Sequence, residues 1–80
     1  MSREENLRHK ILSGRSDANI GFEELRSWLL RLGFAERVRG SHHTFRREGV
    51  RELINLQRDG RQAKPYQVRQ VRQAILRNNL

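Results

Sequence analysis

Residues 37–47, with the sequence RVRGSHHTFRR, constrain the fold of this chain more than any other stretch. Alternating side chains on each side of a glycine–serine pair are typical of two short strands that meet at a tight turn. Successive side chains of a strand point to opposite faces of a sheet, so His43 and Phe45 share one face and His42 lies on the other. Because Phe45 is the large apolar residue, we expect its face to pack on the core and His42 to point outward among arginines.

The first half of the chain carries the signals of two helices. Ser2 and Glu5 have the spacing of a capping box, which predicts a short helix over about residues 3–12. From Phe22 onward the apolar residues recur at helical spacing, and Gly33 is the expected end of that second helix.

The second half predicts three strands and a last helix. Residues 34–39 alternate in the manner of a half-buried strand with arginines on its open face. Residues 41–47 and 53–56 follow as the second and third strands, and their short connections favour an antiparallel meander. Pro65 suits the first turn of a helix that runs to about Arg77. The predicted order is therefore α-α-β-β-β-α, an α+β fold with a three-stranded antiparallel sheet packed on helices.

The composition is strongly basic, with 17 Lys and Arg residues against 9 Asp and Glu and a net charge of +8. A small basic domain rich in arginine points first to nucleic acid, because guanidinium groups bind phosphate through paired donors. A charged surface that only keeps the protein in solution is the plain alternative to nucleic-acid binding. Binding to a membrane surface is a weaker alternative. The sequence has no cysteine, no apolar run of the roughly 20 residues that cross a bilayer, and no secretory signal, so we expect a cytoplasmic location.

The two adjacent histidines are expected to play different roles. Histidine has an unperturbed pKa of about 6.5 and is the natural proton carrier near neutral pH. An outward His42 among arginines is a candidate for acid–base chemistry on phosphate, and a solvated surface histidine is the alternative. His43 shares the face of Phe45, which favours a partly buried, structural role. Since the two rings point apart and have no nearby cysteine, we predict no metal site and no cofactor.

Three segments carry a resemblance to a known family: residues 29–34 (LLRLGF), 39–45 (RGSHHTF) and 64–71 (KPYQVRQV). In this order they look like the HicA family, small toxins of bacterial and archaeal toxin–antitoxin pairs. The resemblance runs over about residues 22–77 and is sharpest where a glycine and a serine precede a histidine.

Residues 1–21 have no clear counterpart in the common form of that family. We therefore divide the chain into an N-terminal helix and linker extension, residues 1–21, and a HicA-like RNA-binding and nuclease domain, residues 22–80.

The resemblance implies a fold like the double-stranded-RNA-binding domain and a ribosome-independent endoribonuclease that cuts messenger RNA. It also implies a HicB-type antitoxin as partner, and it makes His42, directly after Gly-Ser, the catalytic residue. The second proton-transfer group is left open between His43, Tyr66 and a water molecule. The predicted RNA-binding residues are Arg37, Arg39, Gly40, Ser41, Thr44, Arg46 and Lys64.

Two functions without chemistry compete with this reading. A basic, helix-backed sheet can hold double-stranded RNA by shape and phosphate contacts alone. A surface of the same charge can also serve as a protein-interaction domain for an acidic partner.

Overall fold

The computed structural model describes residues 3–80 of the chain. In chain order its elements are α1 (Arg3–Ser13), a 3-10 turn (Asp17–Asn19), α2 (Phe22–Arg31), β1 (Ala35–Arg39), β2 (His42–Arg46), β3 (Ile54–Leu56), β4 (Arg58–Asp59), β5 (Gln62–Ala63) and α3 (Pro65–Arg77). Three helices and a three-stranded antiparallel sheet confirm the predicted α+β layout, and the β4–β5 hairpin is an addition to it. Ser2 lies outside the described residues, so the capping box stays a prediction. Of the helices described within residues 3–80, none has the length and apolar character needed to span a membrane.

The three-stranded sheet is organised by the turn between β1 and β2. Strand β2 lies in the centre and pairs antiparallel with β1 on one side and β3 on the other. Gly40 and Ser41 join the first two strands so that Arg39 pairs with His42. Gly40 has a φ of +57°, a left-handed conformation that glycine adopts without strain and that such short hairpin loops require. The turn therefore fixes which side chains of β2 face each side of the sheet.

The inner face of the sheet packs on the helices. Phe45 is fully buried, which confirms the predicted core face of β2, and Ile54 and Leu56 of β3 lie beside it. The helices add to this core, among others, the buried side chains Leu7, Ile11, Leu25, Trp28, Leu29, Val68, Val71 and Ile75.

Helix α1 belongs to the same hydrophobic core, although it precedes the predicted nuclease domain. Leu7 and Ile11 are both buried in the common cluster. Arg72 of α3 donates from Nη1 to the Ile11 carbonyl at 3.2 Å and to the Asp17 carboxylate at 2.8 Å. These contacts link α3 to α1 and to the segment that follows α1.

An ionic cluster occupies the inner face of β1. The Glu36 side chain is 10% exposed and accepts hydrogen bonds from Arg26 Nε at 2.6 Å and Nη2 at 2.7 Å. It also accepts a hydrogen bond from His43 Nδ1 at 2.8 Å. The His43 ring packs edge-on against the Phe22 ring, with 4.8 Å between the two ring centroids. The prediction that His43 is partly buried is thereby confirmed. Val38 is 52% exposed, because β1 is an edge strand and Val38 lies close to the turn.

We expect the unfolding free energy of Glu36→Gln to fall less than that of the wild type as the pH is lowered. The hydrogen bond from Arg26, together with that from His43, holds the pKa of Glu36 below its ordinary value of 4.5. The ionised carboxylate therefore stabilises the fold above that value, and the stabilisation is lost as the pH falls through the lower folded-state pKa. Urea denaturation of both proteins across the acidic range measures the difference.

The matched control is Glu24→Gln, which neutralises an exposed carboxylate on α2. Its stability should follow the wild-type pH dependence closely. The difference in unfolding free energy between wild type and Glu36→Gln should be largest near neutral pH and shrink in acid. A difference that is constant over this range would contradict the ionic account of Glu36.

Candidate active site and nucleic-acid interface

The open face of the three-stranded sheet carries a shallow depression beside the β1–β2 turn. Its lining residues come from all three strands and are Arg37, Arg39, His42, Thr44 and Asn55. The strand register brings them together, because Arg37 pairs with Thr44, which in turn pairs with Asn55. The His42 side chain is exposed, on the face opposite to Phe45, and is therefore accessible to a ligand.

Gln57 connects this depression to the beginning of α3. It directly follows β3, and the register that pairs His43 with Leu56 places it opposite His42. Its amide nitrogen lies 3.5 Å from His42 Nε2, and its amide oxygen accepts a hydrogen bond from Lys64 Nζ at 3.3 Å. Lys64, which immediately precedes α3, thus reaches the edge of the site through Gln57.

A buried glutamine on α3 forms a hydrogen bond with the backbone of Gln57. Gln67 is 3% exposed and is the only polar side chain found buried within the described part of the chain. Its Oε1 accepts a hydrogen bond from the Gln57 backbone N–H at 2.7 Å, and its amide nitrogen lies 3.5 Å from the Tyr66 hydroxyl. Because a buried amide is costly to leave unpaired, these contacts give the backbone at residue 57 a defined position.

The remaining predicted RNA-binding residues lie at different distances from His42. Gly40 and Ser41 form the turn directly before it. Arg46 is on the same face of β2 but roughly 13 Å farther along the strand, at about 3.3 Å per residue, and it does not line the depression. The structure therefore leaves Arg46 at the far end of the strand and gathers the other six predicted residues near His42, namely Arg37, Arg39, Gly40, Ser41, Thr44 and Lys64.

Asn55 and Gln57 are site residues that the sequence prediction misses. Strand parity carries a usable signal for them, because the polar residues that alternate with buried Ile54 and Leu56 must face the open side. What parity does not give is their position along the sheet. That depends on the register between β2 and β3, which is set by the irregular connection over residues 47–53.

A larger cavity lies between α1 and α2, away from the sheet, and residues such as Lys10, Glu23 and Trp28 line it. It contains charged groups but no histidine, so its walls offer no side chain that ordinarily titrates near neutral pH. We therefore prefer the smaller depression around His42 to this cavity as the candidate site. Within residues 3–80, no three His, Cys, Asp or Glu side chains are grouped so as to hold a metal ion.

Most of the chain lies within the range matched to a known protein family. Residues 22–77 match the family model described as "HicA toxin of bacterial toxin-antitoxin". The matched range begins at α2, contains the three strands and ends with α3, so it includes every residue that lines the depression. No curated protein and no solved structure is significantly similar to the chain.

Proposed function

This chain belongs to the HicA toxin family of bacterial toxin–antitoxin systems, and from that premise we propose that it is a ribosome-independent endoribonuclease that cuts messenger RNA. The observation that carries the proposal is the exposed His42 in a depression that Arg37 and Arg39 also line. Histidine moves protons near neutral pH, and arginine binds phosphate oxygens through paired N–H groups. A messenger RNA substrate would place the activity in the cytoplasm.

The proposed reaction uses a nucleophile that RNA itself carries. His42 takes the proton of a ribose 2′-hydroxyl, and the 2′-oxygen attacks the adjacent phosphorus. The bond from phosphorus to the 5′-oxygen of the next nucleotide breaks, which leaves a 2′,3′-cyclic phosphate and a 5′-hydroxyl. Proton transfer by a placed side chain accelerates such a step by about 10²–10⁴-fold.

The cations around His42 supply the electrostatic part of the mechanism. Negative charge grows on the phosphoryl oxygens as the 2′-oxygen attacks, and preorganised donors stabilise that charge better than water does. We assign Arg37, Arg39 and Lys64 to the reacting phosphate, because the first two line the depression and the third reaches its edge. Arg46 lies far enough along β2 to suit a neighbouring phosphate of the same RNA strand.

The leaving 5′-oxygen requires a proton from a second group. His43 is poorly suited, because its ring faces the inner side of the sheet and its Nδ1 donates to Glu36. Tyr66, which is 54% exposed, and a water molecule are the other two candidates for this step. The Thr44 hydroxyl donates to the Arg37 carbonyl at 3.3 Å, so we assign Thr44 to RNA binding and not to proton transfer.

We further propose that a HicB-type antitoxin binds this open face. The chain has a net charge of +8, and a complementary acidic surface would steer and orient the partner. An antitoxin seated on the depression would exclude RNA from His42 and thereby silence the nuclease.

Incubation of the purified protein with a defined messenger RNA, without ribosomes and with EDTA present, tests the proposed function. We expect shortened fragments that end in a cyclic phosphate, and no cleavage of DNA of the same sequence, which lacks the 2′-hydroxyl. Cleavage that depends on added Mg²⁺ would contradict the mechanism. Intact RNA with a salt-sensitive shift on a native gel would instead identify a non-catalytic RNA-binding module.

A further inference from the structure

We propose that Gln57 is a positioning residue that sets the tautomer of His42, so that Nε2 carries no proton and can accept one from RNA. The catalytic meaning of this inference rests on the proposed ribonuclease function. The tautomer itself is a property of the protein and can be measured without substrate.

The orientation of the Gln57 amide follows from its contact with Lys64. An ammonium group has only N–H donors, so the atom that lies 3.3 Å from Lys64 Nζ is the amide oxygen. The other end of the amide is then the NH₂ group, and it lies 3.5 Å from His42 Nε2. Two donors repel each other, so this contact is favourable only when Nε2 is unprotonated. A neutral His42 in this arrangement carries its proton on Nδ1.

The backbone of Gln57 is held independently of its side chain. The buried Oε1 of Gln67 accepts the backbone N–H of residue 57 at 2.7 Å. A substitution that keeps this N–H leaves the bond in place. The side chain therefore starts from a fixed Cα and spans the space between Lys64 and His42, which is the geometry of a positioning group.

The tautomer decides which ring nitrogen can act as the base. In water, a neutral histidine side chain favours the tautomer with the proton on Nε2. A protonated Nε2 could not accept the proton of the 2′-hydroxyl. When RNA binds, its 2′-hydroxyl replaces the amide as the donor to Nε2. Nε2 then takes the hydroxyl proton, and the imidazolium that forms keeps its other proton on Nδ1.

Nitrogen-15 NMR of the histidine rings measures the tautomer in the full chain. In the wild type, neutral His42 should carry its proton on Nδ1. Gln57→Leu removes both polar ends of the amide and keeps the backbone N–H, so its His42 should shift toward the Nε2-protonated form. Lys64→Met leaves the Gln57 amide free to flip, so His42 of this variant should also lose its preference for the proton on Nδ1. Gln73→Leu, at an exposed glutamine of α3, is the matched control and should behave as wild type.

Cleavage kinetics provide the second measurement. Gln57→Leu should lower kcat by about tenfold with little change in KM, because the arginines that bind phosphate are untouched. A raised KM with unchanged kcat would make Gln57 a binding residue and overturn the positioning role. Wild-type His42 protonated on Nε2 would overturn the inference while leaving the nuclease intact. The expected tautomer in a wild type that leaves RNA uncut would refute the ribonuclease function, and with it the catalytic role of Gln57.

Discussion

Replacing His42 by alanine is expected to lower the rate of RNA cleavage by at least about 100-fold. The variant lacks the imidazole that takes the 2′-hydroxyl proton, while the arginines of the depression still bind the RNA backbone. Because the His42 side chain is exposed and fills no part of the core, the fold should be unchanged. Single-turnover cleavage of a defined RNA measures the rate, and urea denaturation measures the stability.

His9→Ala is the matched control for this experiment. His9 is also exposed, but it lies on α1, outside the depression and outside the residues matched to the toxin family. This variant should cut RNA at the wild-type rate. Wild-type activity in His42→Ala would refute the proposed mechanism. Reduced activity in both variants with reduced stability would attribute the loss to unfolding.

The part of the site that could be predicted is the part that local alternation determines. Phe45 is the single large apolar side chain on β2, so its burial orients the whole strand and leaves His42 on the open side. The two-residue turn at Gly40 fixes the pairing of β1 with β2, and this pairing places Arg37 and Arg39 on the same open face as His42. No long-range information is needed for these four positions, since each follows from the pleat of the strand and the length of the turn.

Other features depend on contacts between distant segments and could not be predicted. Glu36 is partly buried because Arg26 and His43 supply its hydrogen bonds, and the alternation pattern alone cannot distinguish such a cluster from apolar packing. The β4–β5 hairpin consists of two-residue strands, which are too short to show a period of two. Gln57 acquires its place only when Lys64 and the α3 residue Gln67 approach it through tertiary packing.

Replacing Phe45 by alanine is expected to lower the free energy of unfolding by about 3–5 kcal/mol. Phe45 is fully buried on the central strand, paired with Glu36 on one side and Ile54 on the other. Truncation leaves a cavity that both neighbouring strands border, so the site can collapse only partly. Small domains have total stabilities of about 5–15 kcal/mol, and this single change would remove a large share of that. Urea denaturation monitored by Trp28 fluorescence measures the loss.

Leu76→Ala is the control, because it truncates an apolar side chain of α3 that is 60% exposed. Its effect should stay within about 0.5 kcal/mol. The comparison also tests the candidate active site, since Phe45 and His42 lie on opposite faces of one strand. A near-neutral Phe45→Ala would mean that the Phe45 face is open, which would turn His42 toward the helices and remove it from the reach of RNA. A large loss in Phe45→Ala beside a small one in Leu76→Ala is therefore the stability result that the mechanism requires.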